Sequence, residues 1–194
     1  MTTGTTKGER TQAKILETAV ARFGANGFRP TSVAAIARDA GVSAAAPFAY
    51  WPSKEVLFDA AVDQDAHAVI DELLAGIDAT DPSLWLTLVN QLVDILGRHP
   101  LARRVLAGLE PDVIDRVLEL SAFTELRQLL AALIAEEQAT GLTRKDLDPQ
   151  RAAIGIESIV LSITMALLQL KEPPNPEREL GVAEILLAAF RVPQ

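Results

Sequence analysis

Thr31–Lys54 reads TSVAAIARDAGVSAAAPFAYWPSK and holds two short helix patterns around one glycine. Val33, Ile36, Ala37 and Ala40 recur at three- and four-residue spacing, which puts them on one face of a helix. Thr31 or Ser32 can cap its start, because a hydroxyl there satisfies an otherwise orphaned backbone N–H. Gly41 stands at the stop, where glycine takes the left-handed conformation without strain. Val42 is apolar in the turn, and Ser43 is placed to cap a second helix. Two helices joined by a glycine-containing turn form a helix-turn-helix.

The flanking sequence extends the pattern on both sides. Residues 10–25 predict a helix with Ile15, Ala19 and Phe23 on one stripe and Leu16 and Val20 beside it. Gly27 ends that helix, and Phe28 and Pro30 set the approach to the next. Phe23 and Phe28 read as core anchors of a small three-helix domain. From about Arg10 to Phe58 the chain resembles the N-terminal domain of the TetR family of transcriptional regulators. The resemblance rests on ILETAVARFGANGF, TSVAAIARDAGVS and YWPSKEVLF, in that order and at the family's spacing. It implies an all-helical homodimer that binds double-stranded operator DNA and releases it when a small molecule occupies the C-terminal domain. The expected division is residues 8–55 as the DNA-binding domain, with the helix-turn-helix at about 31–50, and residues 56–194 as the effector-binding and dimerisation domain.

The formal net charge of -8 at first argues against a nucleic-acid partner. Its distribution reverses that. Residues 1–55 carry seven bases against four acids, a net of +3, and the remainder holds -11. Local positive charge is what phosphates meet, and an acidic remainder helps orient the approach. The plainer alternative is that acidic helices keep the protein in solution. Lys7 and Arg10, at the end of a Thr- and Gly-rich arm over residues 1–8, can reach the DNA backbone or can belong to a disordered tail.

The second helix of the motif carries Ala44, Ala45, Ala46, Pro47, Phe48, Ala49 and Tyr50, where relatives hold polar side chains. Alanine gives no forked hydrogen bond, so the Arg–guanine and Asn–adenine pairings have no counterpart here. Small apolar groups still pack on thymine methyls, and sequence can be read through DNA shape. Pro47 falls near the end of the first turn, where it removes at most one intrahelical bond. Modest sequence discrimination is expected unless Arg29, Arg38 or the arm contributes. Tyr50 and Lys54 match family positions that hold the DNA backbone. Ser53 can cap the following helix, whose N-terminal N–H groups attract phosphate. The alternative for Lys54 is a solvated surface lysine, and Trp51 reads as a buried aromatic. Arg29, Thr31, Ser32, Ser43, Ala44, Ala45, Pro47, Phe48, Ala49, Tyr50 and Lys54 are the candidate DNA-binding residues.

Further along, one long helix is expected from Ser53 to about Ala79, burying Val56, Leu57, Ala60, Ala61, Ile70, Leu73 and Leu74. Asp81-Pro82 starts another, with Leu84, Trp85, Leu88, Leu92 and Ile95 on its apolar face. His99-Pro100 breaks it. A short helix at 101–108 follows, then an element from Pro111 to about Thr140 that Gly141 stops. Residues 149–170 are apolar almost all round, so that helix must be buried on more than one side. KEPPNP at 171–176 is a stiff linker before a last helix at about 177–190. These two helices either pair with their copies across a two-fold axis, as the family resemblance implies, or are satisfied within one chain. Candidate interface residues are Ile156, Ile163, Leu167, Leu180, Ile185 and Leu187.

Hydrophobic residues make up 49% of the chain but aromatics only 5%, so the core is mostly Leu, Ile, Val and Ala. Without cysteine there is no disulfide or thiolate chemistry, and a reducing cytoplasm is the natural setting. The polar start MTTGTTKGER is no signal peptide, and no run is judged to approach the ~20 apolar residues of a membrane span. His67 and His99 stand far apart with no ligand spacing, so neither metal nor cofactor is expected. No phosphate loop or nucleophile elbow occurs, and catalysis is not expected.

The C-terminal domain therefore reads as a binder. A cavity walled by Leu, Ile and Val would take a lipophilic effector, with Trp85, Leu88, Leu92, Leu106, Phe123, Leu126, Ile159 and Ile163 as candidate lining. A fully packed core is the alternative. The leading reading is a ligand-responsive transcriptional regulator, most often a repressor in this family. Its rival is a helical scaffold or ligand-binding dimer with a degenerate head.

Overall fold

A computed structural model describes residues 6–76, 84–110, 112 and 117–170, together with 175, 177, 180, 181, 184, 185, 188 and 189. Among the described residues all regular structure is helical. α1 (Lys7–Asn26) opens on a capping box: the Thr6 hydroxyl accepts from the Glu9 N–H, and the Glu9 carboxylate accepts from the Thr6 N–H at 2.7 Å. Ile15, Ala19 and Phe23 are fully buried, as the stripe requires. α2 (Val33–Asp39) is capped by Ser32, which accepts from the Ala35 N–H at 3.2 Å. The chain leaves this helix through Gly41 at φ +69°.

The segment after Gly41 departs from expectation. Residues 46–49 form a single 3₁₀ turn whose N-cap is Ala45, without a side-chain cap, in place of the expected helix capped by Ser43. Pro47 is the reason, since it has no N–H to return to the Ser43 carbonyl. The Ala46 N–H takes that carbonyl instead, at 3.0 Å, in the tighter pattern.

α3 (Lys54–Ala75) is capped by Ser53, which accepts from the Val56 N–H at 3.2 Å. Its buried face runs through Leu57, Phe58, Ala61, Val62, Asp65, Ala66, Val69, Ile70 and Leu73. Val56, expected on that face, is instead exposed, and Ala60 and Leu74 are only half-buried. The helix stops at Gly76, short of Ala79, and the expected start at Asp81-Pro82 lies outside the described residues. α4 (Leu84–Leu96), α5 (Pro100–Leu106), a 3₁₀ turn (Val117–Glu119), α6 (Ser121–Thr140) and α7 (Pro149–Leu170) follow, and Gly141 stops α6 in the left-handed conformation. Residues 180, 181, 184, 185, 188 and 189 are helical.

One hydrophobic cluster joins α1, α2, α3, α4 and α5, from Ile15 and Phe23 through Leu57 and Phe58 to Leu96, Leu101 and Val105. Burial of this apolar surface is the main force holding the first helices against the rest. Phe23, Phe28 and Phe58 form an aromatic knot within it, with Phe58 edge-on to Phe23 at 4.9 Å. α7 packs along α6. It buries Ala153, Ile156, Glu157 and Thr164, while Ile154 and Ile159 face outward.

Pro149–Gln169 is, by length and composition, apolar enough to cross a membrane, with a mean hydropathy of 1.7. This corrects the expectation that no run approaches that limit. The apolar residues occupy the outward face as well as the inward one, and only 22% of the stretch is buried. Glu157 in its middle pairs with Arg127 of α6 at 2.9 Å. Burial pushes this carboxyl above the usual glutamate range, and the guanidinium draws it partly back.

Candidate nucleic-acid interface

The DNA-facing candidates divide by what already holds them. Thr31 is buried and its hydroxyl donates to the Gly27 carbonyl at 2.8 Å, so it fastens the end of α1 rather than facing outward. Pro47 is fully buried and anchors the 3₁₀ turn, whose end is closed by the Tyr50 and Trp51 N–H groups on the Pro47 carbonyl at 3.0 and 2.9 Å. Around that anchor, Ser43, Ala44, Ala45, Phe48 and Ala49 are exposed. Phe48 shows 51% of its surface. Ser32 is exposed beside its own capping bond, and Arg29 is exposed.

The two backbone-contact candidates are pre-positioned by partners within the chain. The Tyr50 hydroxyl donates to the Gly8 carbonyl at 3.2 Å, which ties the first turn of α1 to the turn after Gly41. Its ring lies 5.6 Å from that of buried Trp51. The Lys54 ammonium sits 4.3 Å over the Phe28 ring and donates to the Arg29 carbonyl at 3.3 Å. Arg22 of α1 pairs with Asp39 of α2, and the guanidinium holds the Asp39 carboxyl below its usual range. These links make the first three elements one cationic face, to which Lys7, Arg10 and Lys14 of α1 add charge.

The face is fastened to the body behind it. At Gly24, a Cβ would stand 2.9 Å from Pro100 Cγ and 3.0 Å from the Leu101 nitrogen, so α1 and α5 approach through the missing side chain. Glu110 accepts from Arg104 at 2.9 Å and from the Phe28 N–H at 3.3 Å. From α3, Asp65 accepts from the Ala102 N–H at 2.8 Å and meets His99 Nδ1 at 2.9 Å, while Glu72 meets His99 Nε2 at 3.1 Å. Asp63 accepts from the Ser121 hydroxyl at 2.6 Å and from the Ala122 N–H at 3.2 Å. α5 and α6 have no side-chain cap from their own N-cap residues, and α3 supplies both. No spacing in the sequence marks these residues, because the bonded pairs stand 37, 59 and 82 positions apart.

A family model described as "Bacterial regulatory proteins, tetR family" matches residues 15–61, which contain this face. Through this domain the chain is similar to the TetR family. It is 34% identical over 98 residues to the HTH-type transcriptional regulatory protein RaaS of Mycobacterium tuberculosis. That stretch is 50% of this chain and spans 44% of the length of the relative. The fold is shared along nearly the whole chain. A TetR-family transcriptional regulator from Cytophaga hutchinsonii superposes with a TM-score of 0.73 at 18% identity, covering 97% of this chain and 98% of that one. The fatty acid degradation regulator FadR of Bacillus halodurans gives 0.65 at 20% identity, covering 94% and 96%. TetR-family proteins are transcriptional regulators, a class without catalytic chemistry.

Within this TetR fold the candidate effector residues scatter. Leu92 and Leu106 are buried in the main cluster. Phe123 and Leu126 pack on a smaller one of Ala66, Ile70 and Ala122, between α3 and α6. Ile163 is half-buried, and Ile159 stands outward at 37% exposure, away from any interior. The side chains of Trp85 and Leu88 lie outside the described part. Of the candidate interface residues, Ile156 is already covered within the chain, and Ile163 and Leu167 are half-buried. Leu180 and Ile185 are exposed, and Leu187 lies outside the described residues.

Proposed function

We propose that the protein is a one-component regulator of transcription: a homodimer that grips operator DNA through its cationic N-terminal face and lets go when an effector binds the body. The observation that carries this reading is the exposed turn at 43–49 set between Arg29, Tyr50, Lys54 and the start of α1, inside a TetR-family domain. Phosphate contacts from such a face supply most of the affinity, so binding should weaken linearly in log–log form as salt rises. Fluorescence anisotropy on random duplexes and on a selected site, over a range of salt, tests it. Failure to bind any duplex in dilute salt would leave only the rival reading, a helical dimer with a degenerate head, which the single 3₁₀ turn favours.

The dimer would form through α7 and the last helix, whose outward residues Ile154, Ile159, Leu180 and Ile185 are apolar and uncovered in one chain. Two heads on a two-fold axis then meet half-sites one helical turn apart, or multiples of it. Repression is the direction we infer, since a bound dimer obstructs the promoter it covers.

The effector would act through α3, which runs from the DNA-facing end to the caps of α5 and α6. The apolar cluster of Phe123, Leu126, Ala66 and Ile70 between α3 and α6 has the chemistry to meet a lipophilic compound. Acyl chains are the first to try, because the Bacillus halodurans neighbour regulates fatty acid degradation. A ligand that binds only the native state raises the melting point, so fatty acids of graded length in a thermal melt check the point. A flat result across the series would remove the lipophilic effector and leave the DNA reading standing. A role on operator DNA goes with a cytoplasmic protein.

A further inference from the structure

The proposed DNA-binding face presents an exposed turn almost without side-chain hydrogen-bonding groups. Ala44, Ala45, Phe48 and Ala49 are all exposed, and Ser43 supplies the only side-chain hydroxyl of residues 43–49. Two neighbouring donors already have partners within the chain: the Tyr50 hydroxyl meets the Gly8 carbonyl, and the Lys54 ammonium meets the Arg29 carbonyl and the Phe28 ring. The turn is also stiff. Buried Pro47 carries two closing hydrogen bonds on its carbonyl, which fix the backbone that bears exposed Phe48.

We propose that Phe48, with the alanines around it, is the specificity-determining element and reads thymine through its 5-methyl group. The inference rests on the DNA-binding reading above. In the major groove, bases differ by their donors, their acceptors and one apolar mark, the thymine methyl. A tip without a forked donor cannot select guanine or adenine by paired hydrogen bonds. It can select the methyl, because a phenyl ring and a methyl that meet leave water together. Charge at the flanks (Arg29, Lys7, Arg10 and Lys14) holds the backbone and brings this apolar tip to the groove floor.

The experiment uses the full-length protein and a duplex selected by it from a random-sequence pool. Each thymine of the site is replaced in turn by deoxyuridine, which removes the 5-methyl and leaves the pairing edge unchanged. The expected loss is about fourfold per contacted methyl, the worth of one buried carbon. At the thymine that Phe48 meets, Phe48→Ala should bind the thymine and uracil duplexes alike, and it should keep the wild-type salt slope. An unaltered melting curve certifies its fold, and the wild-type comparison stands without the variant. Indifference of the wild type to uracil, a selected site without thymine at the protected positions, or a thymine preference at that position that persists in Phe48→Ala each overturns the proposal while leaving DNA binding intact. Failure to bind any duplex overturns both.

Discussion

Lys54 shows how a residue already satisfied in the free protein can still serve a ligand. Its ammonium rests on the Phe28 ring and on one carbonyl, which fixes the charge at the start of α3 without neutralising it. Lys54→Ala should weaken binding to all duplexes alike and lower the salt slope by about one. It should also cost about 0.5–1 kcal/mol of stability through the lost cation–ring contact. Titrations over salt and a urea melt measure the two effects separately, and an unchanged slope would remove Lys54 from the phosphate contacts. Asp39 gives a pH test in the same face. Its carboxyl is held low by Arg22, so the stability it adds is complete above its unfolded range and disappears as pH falls through its folded value. Asp39→Asn should be less stable than the wild type near neutrality, and the difference should shrink toward the acid end, where the wild-type carboxyl is itself protonated. Thermal melts from about pH 6 down to about pH 3, bracketing the ordinary aspartate range, would show it.

Among the elements, the turn after Gly41 and the α1–α5 crossing teach the most. Periodicity correctly places α1, α2 and α3, because their buried faces repeat at helical spacing and their caps lie next to them in sequence. It overextends the segment after Ser43, where one missing N–H at Pro47 outweighs a run of alanines with high helix propensity. The crossing depends on Gly24. In a free helix glycine-to-alanine gains about 1 kcal/mol. Here the new carbon would sit inside contact distance of Pro100 and the Leu101 backbone, so the sign should reverse. We expect Gly24→Ala to destabilise by about 1–3 kcal/mol, the usual range for overfilling a packed site. A chemical-denaturation midpoint that rises instead would show that α1 and α5 separate easily.

For the whole molecule, α3 is the shared beam: Leu57 and Phe58 pack with the N-terminal elements, and Asp63 and Asp65 cap helices of the body. Any effector that shifts α5 or α6 must therefore work against the hydrogen bonds of α3. α7 leaves Ile154 and Ile159 in water, and a second copy would cover them. Light scattering at micromolar concentration should report a dimer, and Ile159→Glu should shift it toward monomer with helix content kept. A monomeric wild type would end that expectation. The sequence by itself determined the helical class, the place of the motif and the charge asymmetry, since these follow from spacing and composition within a few turns of chain. Only the tertiary structure decided which donors remain open to a ligand, which aspartates cap which helices, and which apolar faces stay uncovered. Those depend on groups brought together across 37, 59 and 82 residues, and no local period carries that information.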